Sequence, residues 1–303
     1  MATVASTLPH ARRLPLSRDQ MMMLMVAINE IFLGVDIYLA HSVSGTIVPR
    51  EWIPIIFGPI AGVVFLLAGI IAARRRRLAT GIAVVVSLVS IVVGLLGAYF
   101  HVIRAILPFG PAGQQVTVGY LVWAPPVLAP LTFALVGVLG ISAILLEDPP
   151  DSGMLALPTG RRLCLPFSKT RAYLLWVGLG ILATLISSVL DHARTDFQNP
   201  WLWVSAAAGI FAIVVTVALA VMDRPTRSDT TTFVGAMLVL ILVGAVGAAL
   251  HVYTNLTSQY VIVPERFIRG APFLAPLLFS NMGVLGLIAL MNPSEQLPGP
   301  RAR

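Results

Sequence analysis

The stretch ATGIAVVVSLVSIVVGLLGAYFHVI, residues 79–103, and its later counterpart TTFVGAMLVLILVGAVGAALHVY, residues 231–253, decide the fold. Neither contains Asp, Glu, Lys or Arg, and each is long enough to cross a hydrocarbon core of about 30 Å as a helix, which takes about 20 residues. Both close on the same pattern: Gly94-x-x-Gly97-Ala98-x-x-His101-Val102 and Gly244-x-x-Gly247-Ala248-x-x-His251-Val252, 150 residues apart. A second pair follows. Pro126-x-x-Ala129-Pro130-Leu131-x-Phe133-x-x-x-Gly137-Val138-Leu139-Gly140 recurs as Pro272-x-x-Ala275-Pro276-Leu277-x-Phe279-x-x-x-Gly283-Val284-Leu285-Gly286. His41 and Trp52 also match His192 and Trp203.

Outward from these stretches, apolar runs fall at about 20–41, 52–73, 79–103, 119–146, 172–192, 201–222, 231–253 and 268–291. The expected fold is therefore all-α: a polytopic membrane protein of eight transmembrane helices in two tandem, parallel four-helix repeats. The repeats cover 20–146 and 172–291, between a cytoplasmic N-terminal segment (1–19), a cytoplasmic linker (147–171) and a cytoplasmic tail (292–303). An even number of helices per repeat gives both the same orientation, related by a pseudo-twofold axis along the membrane normal.

Composition agrees. Hydrophobic residues make up 57% of the 303, charged residues 11%, and the mean hydropathy is +0.90. Soluble domains carry roughly 25% charged residues. The net charge of +7 lies in short loops rather than on a basic face, so it reads as a topology device and not as a nucleic-acid footprint. Arg50, Arg104, Arg194, Arg266 and Arg269 fall on one side, leaving 15 of the 20 Lys and Arg, the Arg74–Arg77 run among them, on the side of the termini. The positive-inside rule puts that side in the cytoplasm, as in a bacterial-type inner membrane. Cys164 is the single cysteine, which excludes an internal disulfide and a Cys-based metal cluster. No phosphate-binding glycine loop, zinc-protease motif or nucleophile elbow is present.

Candidate chemistry rests on His41, His101, His192 and His251, at the extracytoplasmic ends of the odd-numbered spans. Paired imidazoles from neighbouring helices are axial ligands for haem b, or part of a copper or iron site. Gly94, Gly97 and His101 share a helix face, as do Gly244, Gly247 and His251. Such a strip seats a flat porphyrin or packs a neighbouring helix closely. Arg104, Asp191, Arg194, Asp196, Glu265, Arg266 and Arg269 sit nearby as propionate partners or plain loop charges. Glu30, near the middle of helix 1, and Asp36, between it and His41, are candidates for a proton path, since carboxyls inside a membrane mark functional sites. The prolines of the fourth and eighth spans bend their outer halves.

In helix count, chain length and internal duplication this arrangement resembles the haem A synthases. Their Glu-x-x-x-His-Arg type motif is absent and the histidines fall on odd helices, so the resemblance implies architecture alone. The leading expectation is a membrane redox protein, an oxidoreductase or a subunit of one, working in electron transfer or as an oxygenase-type subunit. Its expected partners are the lipid bilayer and a quinone or redox partner subunit. Two rivals stand beside it: a proton- or cation-coupled transporter using Glu30 and Asp36, and a structural subunit of an oligomer or larger membrane complex.

Overall fold

The computed structural model describes residues 16–291 apart from 43, 44, 46, 73, 104–112, 114–116, 124, 158 and 258–261. His10, Arg104, the tail 292–303 and most of the segment 1–19 lie outside the described residues.

The chain is mostly helical. Its first half runs through α1 (Arg18–Ser42), a 3-10 turn (Pro49–Glu51), α2 (Trp52–Ala72), α3 (Arg76–His101), α4 (Val118–Trp123) and α5 (Leu128–Ile144). The second half holds α6 (Lys169–Ala193), α7 (Leu202–Val221), α8 (Arg227–Thr257), α9 (Arg266–Arg269) and α10 (Leu277–Ala289). Among the described residues six helices, α1, α2, α3, α6, α7 and α8, are long and apolar enough to cross a membrane.

The continuous spans expected at 119–146 and 268–291 are each divided. Pro125 and Pro126 stand between α4 and α5, and Pro272 and Pro276 between α9 and α10. Proline lacks the N–H that would extend a helix and pushes the residue before it out of the α region. Pro130 escapes this conflict by sitting in the first turn of α5, where backbone N–H groups have no intrahelical partner. The remaining apolar helices have 17 and 13 residues, or about 26 and 20 Å at 1.5 Å per residue.

In the first half α1 packs on α2, α2 on α3, α3 on α5, and α5 back on α1, which sets α1 and α3 diagonally across a four-membered ring. The second half repeats the order with α6, α7, α8 and α10. Contact details match as well. A Cβ added at Gly137 would meet the Ser87 carbonyl and Ile91, while one at Gly283 would meet the Met237 carbonyl and Ile241. Between the halves α1 touches α9 and α10, and α6 touches α4 and α5. Trp176 Nε1 donates across this junction to the Leu135 carbonyl at 3.0 Å. Large apolar side chains such as Ile53, Ile60, Val85, Val92, Val214 and Leu242 point outward, as lipid permits.

The linker departs from an all-helical reading. Strands β1 (Leu146–Glu147), β2 (Met154–Ala156) and β3 (Arg162–Cys164) form an antiparallel sheet in that order. Its two turns pass through Gly153 and Gly160 at φ 78° and 81°, a region glycine enters without steric cost. Glu147 organises the first turn: Oε1 accepts from Gly153 N at 2.7 Å, and Oε2 from Asp151 N at 2.9 Å. Oε1 also accepts from Lys169 N at 2.8 Å, tying the sheet to the start of α6.

Beside it lies a buried charge cluster. Asp19 accepts from Lys169 Nζ at 2.5 Å and from the Tyr173 hydroxyl at 2.9 Å. Arg18 donates through Nη1 to Thr170 at 2.6 Å and faces Glu147 at 4.0 Å. Arg18, Lys169 and Tyr173 are each 1% exposed. Unpaired buried charge is very costly, so these partners fix how the first turns of α1 and α6 meet.

Candidate functional site

The four histidines converge in two pairs at the end of the molecule opposite that cluster. His41 and His101 end α1 and α3, and their ring centroids are 6.2 Å apart with planes at 56°. His192 and His251, on α6 and α8, are 6.4 Å apart at 89°. Each pair bridges helices that stand diagonally across a ring, so the imidazoles face one another over the mouth of a bundle. All four are half-buried. Around them, Trp52, Tyr99, Trp123, Trp201, Trp203 and Tyr253 are exposed, an aromatic collar of the kind found at a membrane–water interface.

The prolines supply partners to the histidines. Pro130 lacks the N–H that would bond the carbonyl four residues earlier, leaving Pro126 O with a turn contact from Ala129 N at 3.3 Å. His101 Nδ1 takes this acceptor at 3.0 Å. The second half repeats the device: Pro276 leaves Pro272 O to Ala275 N at 3.2 Å, and His251 Nδ1 bonds it at 2.9 Å. His41 Nδ1 lies 2.9 Å from the Ile37 carbonyl one turn below. A carbonyl oxygen can only accept, so in all three rings Nδ1 carries a proton, and in the neutral imidazole the lone pair is then on Nε2. This tautomer suits a ligand whose far nitrogen is held by the protein.

The glycine strips are occupied. A Cβ on Gly94 would lie 2.5 Å from Ala134 N and 3.0 Å from the Pro130 carbonyl, and one on Gly97 would lie 2.7 Å from Pro130 Cβ. Gly244 and Gly247 meet Pro276 O at 2.6 Å and Pro276 Cβ at 2.9 Å in the same way. Of the two uses expected for these strips, close helix packing is the one these contacts support. Their bare faces let α5 and α10 approach closely, which brings the proline carbonyls to the histidines.

Glu30 is fully buried at the centre of the first bundle, where Oε1 lies 2.5 Å from Ser90 Oγ on α3. The same hydroxyl lies 2.8 Å from the Phe133 carbonyl on α5. Asp36, half-buried, is six residues further along α1 and about 240° round it, so it does not share Glu30's face. Of the outer charges, Arg194 donates to the Val122 carbonyl at 2.7 Å and lies 3.8 Å from Asp191. Arg269 pairs with Glu265 at 3.2 Å. Among the described residues no three His, Cys, Asp or Glu side chains converge as a metal cluster.

Sequence reasoning missed Ser90 and the carbonyls of Pro126 and Pro272. The repeated Pro-x-x-x-Pro spacing was the available clue to the carbonyls, because the second proline must free the carbonyl of the first. No protein-family model, curated protein or solved structure matches this chain.

Proposed function

We propose that this protein carries electrons in a membrane, with eight spans in two parallel four-helix repeats and a haem b held between the histidines of each repeat. The six long helices supply six spans, and α4 with α5 and α9 with α10 supply two more, each bent at its prolines. The matching neighbour order and glycine contacts of the two halves support the duplication. The asymmetry of Lys and Arg supports cytoplasmic termini.

The observation that carries the reading is the geometry of the cross-bundle pairs. Two imidazoles ligating one ion at about 2 Å per nitrogen place their ring centroids roughly 6 Å apart, and the pairs stand at 6.2 and 6.4 Å. In three of the four rings Nδ1 is engaged by a backbone carbonyl, which makes Nε2 the nitrogen that would ligate. Each pair supplies two donors, whereas a bare metal site draws three or four from the protein, so haem fits this donor set better than copper or iron alone. Held by two imidazoles, a haem would supply one-electron transfer. His41 and His101 would hold it in the first half, and His192 and His251 in the second. A quinone or a partner redox subunit would exchange electrons at the aromatic collar.

The test is the haem content and the reduced-minus-oxidised absorption spectrum of the detergent-purified chain. Two haems per chain are expected, with one lost in His101→Ala, one in His251→Ala and both in the double variant. A folded wild-type protein that takes up no haem from a haem-replete host overturns the reading, as do single variants that keep the full content.

A further inference from the structure

The centre of the first bundle contains a polar group of residues that the centre of the second does without. Glu30, Ser87 and Ser90 are each 0% exposed. The histidine offsets, 151 for helices 1 and 5 and 150 for helices 3 and 7, match these positions to Ile181, Met237 and Leu240, which are also 0% exposed. The contacts confirm the match: a Cβ on Gly140 would meet the Ser87 hydroxyl, and one on Gly286 would meet the Met237 sulfur. Three apolar side chains therefore fill this space adequately in the second half. A carboxyl and two hydroxyls in the first are not needed for packing.

Hydrogen-bond arithmetic identifies the occupant. Ser90 has one hydroxyl hydrogen and two acceptors in reach, Glu30 Oε1 at 2.5 Å and Phe133 O at 2.8 Å. The Phe133 carbonyl lies inside α5 and already accepts its intrahelical bond, so with Glu30 ionised the single Ser90 hydrogen makes only one of these two contacts a hydrogen bond. With Glu30 protonated the chain is complete, the carboxyl donating to Ser90 Oγ and Ser90 to the Phe133 carbonyl. Two more buried atoms, Glu30 Oε2 and Ser87 Oγ, have no hydrogen-bond partner among the described residues. Buried polar atoms of this kind are commonly served by water. No neighbouring charge competes for the role: α2, α5 and α10, packed on α1, carry no charged residue. On α3 the ionisable groups are Arg76, Arg77, Tyr99 and His101 near its ends; α9 contributes Arg266 and Arg269. On α1 itself the others are Arg18, Asp19, Asp36, Tyr38 and His41.

We infer that Glu30, Ser87 and Ser90 form a proton-binding site with an attendant water, confined to the first half, in which Glu30 releases its proton to the water and regains one from it. The site stands independently of haem, since it rests on α1, α3 and α5 contacts about 16 Å, or 11 residues at 1.5 Å each, from the histidine pair.

Infrared difference spectroscopy of the full chain in lipid, wild type minus Glu30→Gln, tests it. A carboxylic-acid carbonyl band at neutral pH is expected, moving down promptly in heavy water and displaced again in Ser87→Ala and Ser90→Ala. If Glu30→Gln does not fold, the combined variant Glu30→Ile, Ser87→Met, Ser90→Leu, which installs the second half's side chains, serves as the blank. Absence of the band, or a band indifferent to prolonged heavy water, overturns the inference: the first means an ionised carboxylate, the second a sealed structural acid.

Discussion

The two halves use one pattern of helix neighbours for two different interiors. At the histidine end they share a diagonal ring pair, a proline-freed carbonyl and a glycine face that admits the proline helix, while the ring planes meet at 56° in one half and 89° in the other. At mid-depth they part, with Glu30, Ser87 and Ser90 in one half and Ile181, Met237 and Leu240 in the other. At the far end they part again, because α1 opens Arg18-Asp19 where α6 opens Lys169-Thr170, and the single Asp19 lies beside both cations. What both halves keep belongs to the shared architecture. What one half holds alone is a specialisation that the architecture tolerates.

The far end offers the largest way to strain this comparison. Asp19→Ala leaves Lys169 buried without its carboxylate, and breaking a buried ion pair costs about 3–5 kcal/mol. Reversible unfolding in mixed micelles should register that loss, whereas Thr170→Ala, at the matching position, should cost about 2 kcal/mol for one hydrogen bond to the Arg18 guanidinium. Equal costs would mean that the acid is not what joins the halves.

The mid-depth difference can be forced from the other side. Ile181→Glu places a carboxyl at the position matched by Met237 and Leu240, whose side chains offer it no hydrogen bond, and should destabilise the chain by about 2–3 kcal/mol even when protonated. Adding Met237→Ser and Leu240→Ser should recover part of that loss if the hydroxyls are what make the acid tolerable. No recovery would show that the first half's tolerance depends on something other than the two serines.

The smallest effect sharpens the agreement. Pro130→Ala restores an N–H that competes with His101 for the Pro126 carbonyl. Partners behind a ligand typically alter affinity 10–100-fold, so haem affinity in the first half should fall by about tenfold and leave the second unchanged. Pro276→Ala should do the reverse, and parallel haem titrations of the two variants would show it. A uniform effect on both sites would place the influence of the proline outside its own bundle.

Much of this was legible in the sequence, for identifiable reasons. The long apolar helices follow from residue type and run length, which are local properties. The pairing of histidines was legible because the same motif occurs twice in the sequence. The breaks before α5 and α10 were half legible: the prolines suggested bends, but whether Pro126 ends a helix or merely tilts it depends on packing against α3. The linker sheet gave no alternation to read, with strands of two or three residues. Arg18 read as a loop cation because Asp19 is its neighbour while Lys169, Thr170 and Tyr173 lie about 150 residues on. Ser90 was invisible for the same reason, being an ordinary small polar residue in an apolar run until the fold sets it against Glu30.

The clasp of Asp19, Lys169, Tyr173 and Glu147 bears on mechanics as much as on stability. Alternating access requires one half to swing against the other, and here such a swing would pull buried Arg18 and Lys169 from their partners while levering a sheet anchored by Glu147 to the first residue of α6. Electron tunnelling makes the opposite demand. Its rate falls steeply with every ångström between carriers, so under the proposed function two haems on separate bundles would need a hinge that does not turn. The clasp would supply it at the end of the molecule away from the histidines.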